Sequence, residues 1–168
     1  MPPIPEPTRL DAIERRFRHD TRLAHRGIHD GNLVLATRSG IVKKTRLTEY
    51  DSPRSTGLIA INLREGDSVV AAKLVSAQDD LILVSKNGYS LKFHATDEAM
   101  RPMGRSAGGV IGMRFKSDDD YLLAMAVAPQ DAFLVTVTEN GWAKRTRLSE
   151  WNIKQRSGQG VRAMRLTS

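Results

Sequence analysis

The chain has 168 residues, 40% of them apolar and 27% charged, with 26 Lys and Arg against 19 Asp and Glu and a net charge of +7. That is enough chain for one domain with a real core, and the surplus of cations favours an acidic partner such as nucleic acid or an anionic surface. The lack of cysteine excludes disulfides, zinc–thiolate centres and cysteine nucleophiles. No apolar run reaches the roughly 18 residues of a membrane-spanning helix, and the N-terminal stretch lacks the apolar run of a signal peptide. The expected setting is the cytoplasm, with no membrane partner.

Residues 1–32 read as an N-terminal extension. Four prolines fall in residues 1–7 and hold that start out of a helix. Thr8 then stands three residues before Asp11, the spacing of a capping box, and Leu10, Ile13 and Phe17 follow at helical intervals. A short helix over about residues 9–19 is expected.

From Leu33 the pattern changes to short apolar runs and glycine turns, and it repeats. LVLATRSG ends at Gly40, LILVSKNG at Gly88 and LVTVTENG at Gly141, giving intervals of 48 and 53 residues. Asn87-Gly88 and Asn140-Gly141 suit a type I′ hairpin, in which both central residues take positive φ, and Ser39-Gly40 is a weaker version. Return strands follow: IVKKTRL, YSLKFHA and WAKRTRL. A second block in each unit carries Arg-Ser (Arg54-Ser55, Arg105-Ser106, Arg156-Ser157), a glycine-rich turn and a further strand, with Gly57, Gly109 and Gly160 aligned in front of it. Acidic turns, REGDS and KSDDD, read as solvated connections. Each unit amounts to about four strands, with bounds near 33–79, 80–129 and 130–168. The expected fold is all-β: a partial propeller-like array of about three four-stranded blades, with the short N-terminal helix. Candidate core positions are Leu33, Leu35, Leu58, Ile59, Ile61, Leu81, Leu83, Val110, Ile111, Leu134 and Val135. Trp142 and Trp151 read as packing or rim residues.

The cations repeat with the strands. Four residues past the hairpin glycine stand Lys44, Lys92 and Arg145; six past it stand Arg46, His94 and Arg147. Alternation along a strand puts the two sets on one face. With Lys43, Lys144, Arg101, Arg54, Arg105 and Arg156 they suggest a periodic stripe of positive charge. Such a stripe suits a phosphate backbone that bends past it, with steep salt dependence and little base readout. The candidate DNA-binding residues are therefore Lys43, Lys44, Arg46, Arg54, Lys92, Arg105, Lys144, Arg145, Arg147 and Arg156.

LVLATRSGIVKKTRL with RSTGLIAINL, DDLILVSKNGYSLKF with TDEAMRPMGRSAGGVIGMRF, and VTENGWAKRTRLSEW with the Arg-Ser-Gly block together resemble the C-terminal DNA-wrapping domain of the DNA gyrase A protein and its relative in topoisomerase IV. Residues 95–115 are similar above all to the actinobacterial forms, and the likeness runs from about Leu33 to Leu166. It implies a β-pinwheel whose basic rim wraps double-stranded DNA. It also implies a role in supercoiling within a type II topoisomerase, at the nucleoid, beside the gyrase A N-terminal domain or gyrase B. The family's Q-R-R-G-G-K-G box survives only as Lys154-Gln155-Arg156-Ser157-Gly158-Gln159-Gly160, with Gln155 in an arginine position, Ser157 in a glycine position and Gln159 in the lysine position. Tyr50, Tyr89 and Tyr121 do not match the family's catalytic tyrosine, so no catalysis by this chain alone is expected.

Other constellations are weak. His25 and His29 share a spacing but have no third ligand, and no metal is expected. Asp118, Asp119 and Asp120 lack the alternation of a calcium loop. No phosphate-binding G-x-x-x-x-G-K-[ST] occurs, and no cofactor is expected. The competing expectation is a protein-interaction platform, or a degenerate paralogue fragment with weak DNA binding, since a propeller-like fold does not decide its ligand.

Overall fold

A computed structural model of the chain describes residues 31–51 and 57–166. The expected N-terminal helix, the His25–His29 pair and Arg54 lie outside the described residues. Ten strands follow in order: β1 Asn32–Thr37, β2 Ile41–Arg46, β3 Val69–Val75, β4 Asp80–Ser85, β5 Tyr89–His94, β6 Val110–Ile111, β7 Leu122–Val127, β8 Phe133–Val137, β9 Ala143–Arg147 and β10 Val161–Arg162. Single 3₁₀ turns follow β2 and β9, at Leu47–Tyr50 and Leu148–Glu150.

The three glycine-ended runs form the three expected hairpins, β1–β2, β4–β5 and β8–β9. Their turns are not type I′. In each, the glycine N–H donates to the carbonyl three residues back (Thr37, Ser85 and Thr138), and only the glycine takes positive φ: +82° at Gly40, +77° at Gly88 and +82° at Gly141. These are three-residue loops that end in a left-handed residue, so the asparagine before the glycine stays in ordinary space.

The sheets do not coincide with the sequence units. One sheet has the order β3-β1-β2-β6, the next β10-β5-β4-β7, and the third is the two-stranded hairpin β8-β9. β6 belongs to the second unit yet pairs with β2 of the first, with Ile41 opposite Ile111 and Val42 opposite Val110. β10, from the third unit, pairs with β5 in the same register, with Val161 opposite Ser90 and Arg162 opposite Tyr89. The fourth strand of each complete sheet is thus donated by the following unit.

Donation explains the glycine in front of each donor strand. A Cβ on Gly109 (φ +87°) would stand 2.7 Å from the Val42 carbonyl and 2.7 Å from Ile41 Cγ2. One on Gly160 (φ +73°) would run into the Ser90 carbonyl at 2.3 Å.

The core lies between the sheets. Val34, Ala36 and Val42 of the first pack with Leu81, Leu83, Leu91, Phe93 and Leu122 of the second, and Met113 sits among them. Ile82 points from β4 to the other face, where it joins Leu148, Trp151, Ala163 and Leu134 against the third hairpin. One four-stranded sheet cannot cover both faces alone, and stacking completes the burial. Leu33, Leu35, Leu81 and Leu83 are buried as expected; Ile59 and Val135 are instead 67% and 58% exposed.

Candidate nucleic-acid interface

The structure divides the cationic stripe into joints and rim. Lys43, Lys44 and Lys92 are among the most buried side chains in the molecule. Lys44 Nζ donates to the Ala95 carbonyl and to Asp97 Oδ1 at 2.7 Å. Lys92 Nζ donates to the Leu148 carbonyl at 3.2 Å and faces Asp80 at 3.5 Å. Ala95 and Leu148 both stand seven residues past the hairpin glycine of the following unit. The same lysine therefore ties each sheet to the same carbonyl of the next. Lys43 Nζ reaches back to Ala60 O at 2.7 Å and to Arg105 O. Burial pushes its ammonium below the ordinary lysine value, Arg105 pushes it the same way, and Glu49 opposes both.

The Arg-Ser arginines make the matching joint. Arg105 Nη1 donates to Ile59 O at 2.9 Å, and Arg156 Nη1 to Ile111 O at 3.1 Å. Each acceptor is two residues past the glycine that precedes its strand. Arg156 Nε also donates to Ala99 O at 3.1 Å. Lys43, Lys44 and Lys92 thus do not form an exposed stripe, and Arg105 and Arg156, both half-buried, each commit part of the guanidinium to backbone carbonyls. The burial of these lysines has a physical reason. β2 and β5 are interior strands covered by the next sheet, so a position that looks outward on an isolated hairpin is internal in the stack.

The exposed part is Arg46, Lys144, Arg145 and Arg147. Arg46 leans on Asp97 at 3.3 Å with most of its side chain in solvent. The hydrogen bond from Lys44 holds the Asp97 carboxyl below the ordinary aspartate value; burial opposes it, and the charges of Lys44 and Arg46 add to the downward shift. Lys144 Nζ donates to Ala163 O at 3.1 Å. Arg145 and Arg147 lie over the Phe133 ring, 4.5 and 5.5 Å from its centroid.

Two further cation pairs sit on aromatic rings in the same manner. Arg38 and Lys86 stand 3.3 and 5.6 Å from the centroid of Tyr121. Lys116 and Arg162 stand 4.3 and 5.5 Å from that of Tyr89, and Arg162 also donates to the Tyr89 hydroxyl at 3.0 Å. Ring contact fixes a long cationic side chain while leaving its N–H donors facing water. Sequence reasoning passed over these four cations. Arg38 and Lys86 occupy one turn position, but the third unit has Glu139 there, so a search for threefold recurrence misses it.

The acidic turns are built-in supports for the hairpin tips. Asp67 accepts from Ser39 N at 3.0 Å and from the Ser39 hydroxyl. Asp120, itself buried, accepts from Ser85 Oγ at 2.8 Å, Asn87 N at 2.9 Å and Tyr121 N at 2.9 Å. Burial raises the Asp67 pKa, but hydrogen bonds from Ser39, Thr37 and Ser68 outweigh it and the net shift is downward. Among the described residues no group of three or more His, Asp or Glu could hold a metal, and no helix is long and apolar enough to cross a membrane.

Stacked sheets with donated strands and a cationic rim define a class of β-propeller-like repeat module. The chain belongs to the family described as DNA gyrase C-terminal domain, beta-propeller, whose model matches at residues 31–76, 79–129 and 132–168. The DNA gyrase A protein of Mycolicibacterium smegmatis (strain ATCC 700084 / mc(2)155) is 56% identical over 129 residues, covering 77% of this chain and 15% of that protein. The solved C-terminal domain of DNA topoisomerase IV superposes with a TM-score of 0.73 at 33% identity, over 79% of this chain and 41% of that one. The DNA gyrase A C-terminal domain does so at 0.69 and 28%, over 79% and 43%. The chain thus spans a small part of the length of its curated relative.

Proposed function

We propose that the chain is a non-catalytic module that binds and bends duplex DNA for a type II topoisomerase, with residues 33–168 as the wrapping domain and residues 1–32 as an extension. It contributes to supercoiling at the nucleoid together with the gyrase A N-terminal domain or gyrase B. The observation that carries this reading is the set of exposed cation pairs seated on Tyr121, Tyr89 and Phe133. Each pair offers a restrained donor cluster without base-reading geometry, which is what phosphate contact needs. Arg46, Lys144, Arg145 and Arg147 are the members of the stripe that meet phosphate. Lys43, Lys44, Lys92, Arg105 and Arg156 act on DNA indirectly, by setting the angle between sheets.

The test is duplex affinity measured by fluorescence anisotropy across a salt series. Each phosphate that a cation neutralises contributes roughly 0.9 to the logarithmic salt slope. Replacing Arg145 and Arg147 by Gln is expected to flatten the slope by about two such steps and to weaken all DNA sequences alike. Unchanged affinity and slope, with Arg38→Gln and Lys86→Gln also silent, would overturn the assignment.

A further inference from the structure

His94 stands six residues past its hairpin glycine, where the other two units have Arg46 and Arg147. It is supported in the same way as Arg46. In the first unit, Asp97 bridges two cations of β2: Oδ1 accepts from the buried Lys44 at 2.7 Å, and Oδ2 faces the exposed Arg46 at 3.3 Å. In the second unit, Asp80 bridges the corresponding residues of β5: Oδ2 faces the buried Lys92 at 3.5 Å, and Oδ1 lies 2.6 Å from His94 Nδ1. The two carboxylates are not related by the repeat. Asp97 comes from the segment after β5, whereas Asp80 lies directly opposite His94 in the β4–β5 pair. Asn32 and Phe133 take that opposite position in the first and third hairpins. Among the three hairpins, the one with histidine in place of arginine is also the one with an acid across the strand.

Asp80 fixes what the imidazole can do. An ionised carboxylate only accepts, so Nδ1 carries the proton, and in the neutral ring Nε2 keeps a lone pair. A lone pair cannot donate to a phosphate oxygen. Protonation turns Nε2 into a donor and adds a positive charge, while the Nδ1 contact with Asp80 persists. The side chains of Asp80 and His94 are 11% and 52% exposed, so the carboxylate is sheltered while the ring stays open to a ligand. Lys44, Asp97 and Arg46 together carry one excess positive charge. Lys92, Asp80 and His94 match that only with imidazolium. The neighbouring elements bring further charged groups. The segment after β5 brings Asp97, already paired with Lys44 and Arg46. The approach to β4 brings Asp79, whose carboxylate accepts from Ser76 N at 2.6 Å. The following unit meets Lys92 through the turn Leu148–Glu150, whose charged member is Glu150. Among these side-chain types, imidazole is the one that ordinarily changes charge between about pH 5 and 8.

We infer that His94 is a phosphate contact of the second unit and that it makes this contact only when protonated, so that the module grips duplex DNA more tightly as pH falls. This role rests on the reading above, in which Arg46 and Arg147 meet phosphate. The first and third units hold their rim charge through guanidinium groups, which stay charged throughout. The second unit adds its own charge on acidification, at the rim position that the repeat reserves for a cation.

The test is fluorescence anisotropy with duplex DNA in salt series at about pH 6 and about pH 8, on the full chain, His94→Gln and His94→Arg. Circular dichroism melts at both pH values select conditions in which all three are folded. For the unmodified chain the logarithmic salt slope is expected to be steeper by roughly 0.9 at the lower pH, the equivalent of one added phosphate contact, with higher affinity. His94→Gln is expected to keep the shallow slope at both pH values, and His94→Arg the steep one at both. His19, His25 and His29 remain in every variant, so a pH response that survives in His94→Gln belongs elsewhere and sinks the assignment. Equal slopes at the two pH values in the unmodified chain sink it as well. Arg145→Gln with Arg147→Gln separates the two levels. If that pair flattens the slope while the His94 variants are silent, the role of His94 falls and DNA binding stands. If neither set moves the slope, the DNA-binding reading falls and the role of His94 falls with it.

Discussion

Replacing Lys44 by Met separates the two roles that the cationic repeats combine. Met keeps most of the aliphatic stem and removes the ammonium. The Ala95 carbonyl, in a fully buried residue, then loses its side-chain donor, and an unsatisfied buried acceptor costs about 1–3 kcal/mol. The broken pairing with Asp97, half exposed at 52%, adds at most ~1 kcal/mol because water replaces the partner. The expected total is roughly 2–3 kcal/mol, or a fall of about 10 °C in Tm for a domain of this size. Arg46→Met touches the same Asp97 from outside and is expected to cost under about 1 kcal/mol. Thermal unfolding by circular dichroism gives the first quantity. Anisotropy with duplex DNA, well below the lowered Tm, gives the second. Lys44→Met is expected to leave salt slope and affinity intact once folded. A variant with unchanged Tm and tenfold weaker DNA binding would refute the latch and return Lys44 to the phosphate-facing set.

Asp120→Ala removes the acceptor of three hydrogen bonds from a buried site and is expected to cost roughly 2–4 kcal/mol by chemical denaturation; a loss below the error of the fit would contradict the support role. Ser157 holds φ +67° where a left-handed residue is needed, so Ser157→Gly is expected to stabilise by about 1 kcal/mol, read as a higher denaturation midpoint. Gly109→Ala is expected to cost more than about 2 kcal/mol, because strain and collision with Val42 O add; Gly57→Ala, with open space, should cost the monomer only its φ strain. The Asp67 and Asp97 carboxyls lie below the ordinary aspartate value in the folded chain. Their contribution is present above that pH and lost as pH falls through the folded values, since the unfolded chain binds protons first. Asp97→Asn is expected to flatten the acid limb of a stability–pH curve, and an unchanged limb would argue against its pairing with Lys44.

Much of the strand plan is legible in the sequence because hairpins are local. A run such as LILVSKNG states its own period and its own turn, and all three hairpins form where they are read. Two kinds of information are not local. The turn type depends on loop length as well as on Asn-Gly, and the three-residue loops leave Asn87 and Asn140 out of positive φ. The facing of Lys44 and Lys92 depends on what covers β2 and β5, and that cover comes from the next unit. Recurrence shows that a position matters but not to which partner. The same threefold arginine or lysine arises from a repeated protein joint as readily as from a repeated phosphate contact. Conversely, Arg38 and Lys86 do not recur in the third unit, which has Glu139 there, and the ring they share, Tyr121, comes from a distant part of the chain.

The offset between sequence unit and sheet has an evolutionary consequence. Because each complete sheet takes its last strand from the unit that follows, a gene segment encoding one whole unit carries half of two joints. Duplicating such a segment inserts a donor and an acceptor together, and excising one removes both. Every interior joint therefore keeps a partner when the number of copies changes, and lineages can lengthen or shorten the array by unequal recombination without redesigning a single contact. Only the outermost donor and acceptor of such an array lack a repeated counterpart, so their contacts are not fixed by the joint that the interior copies share.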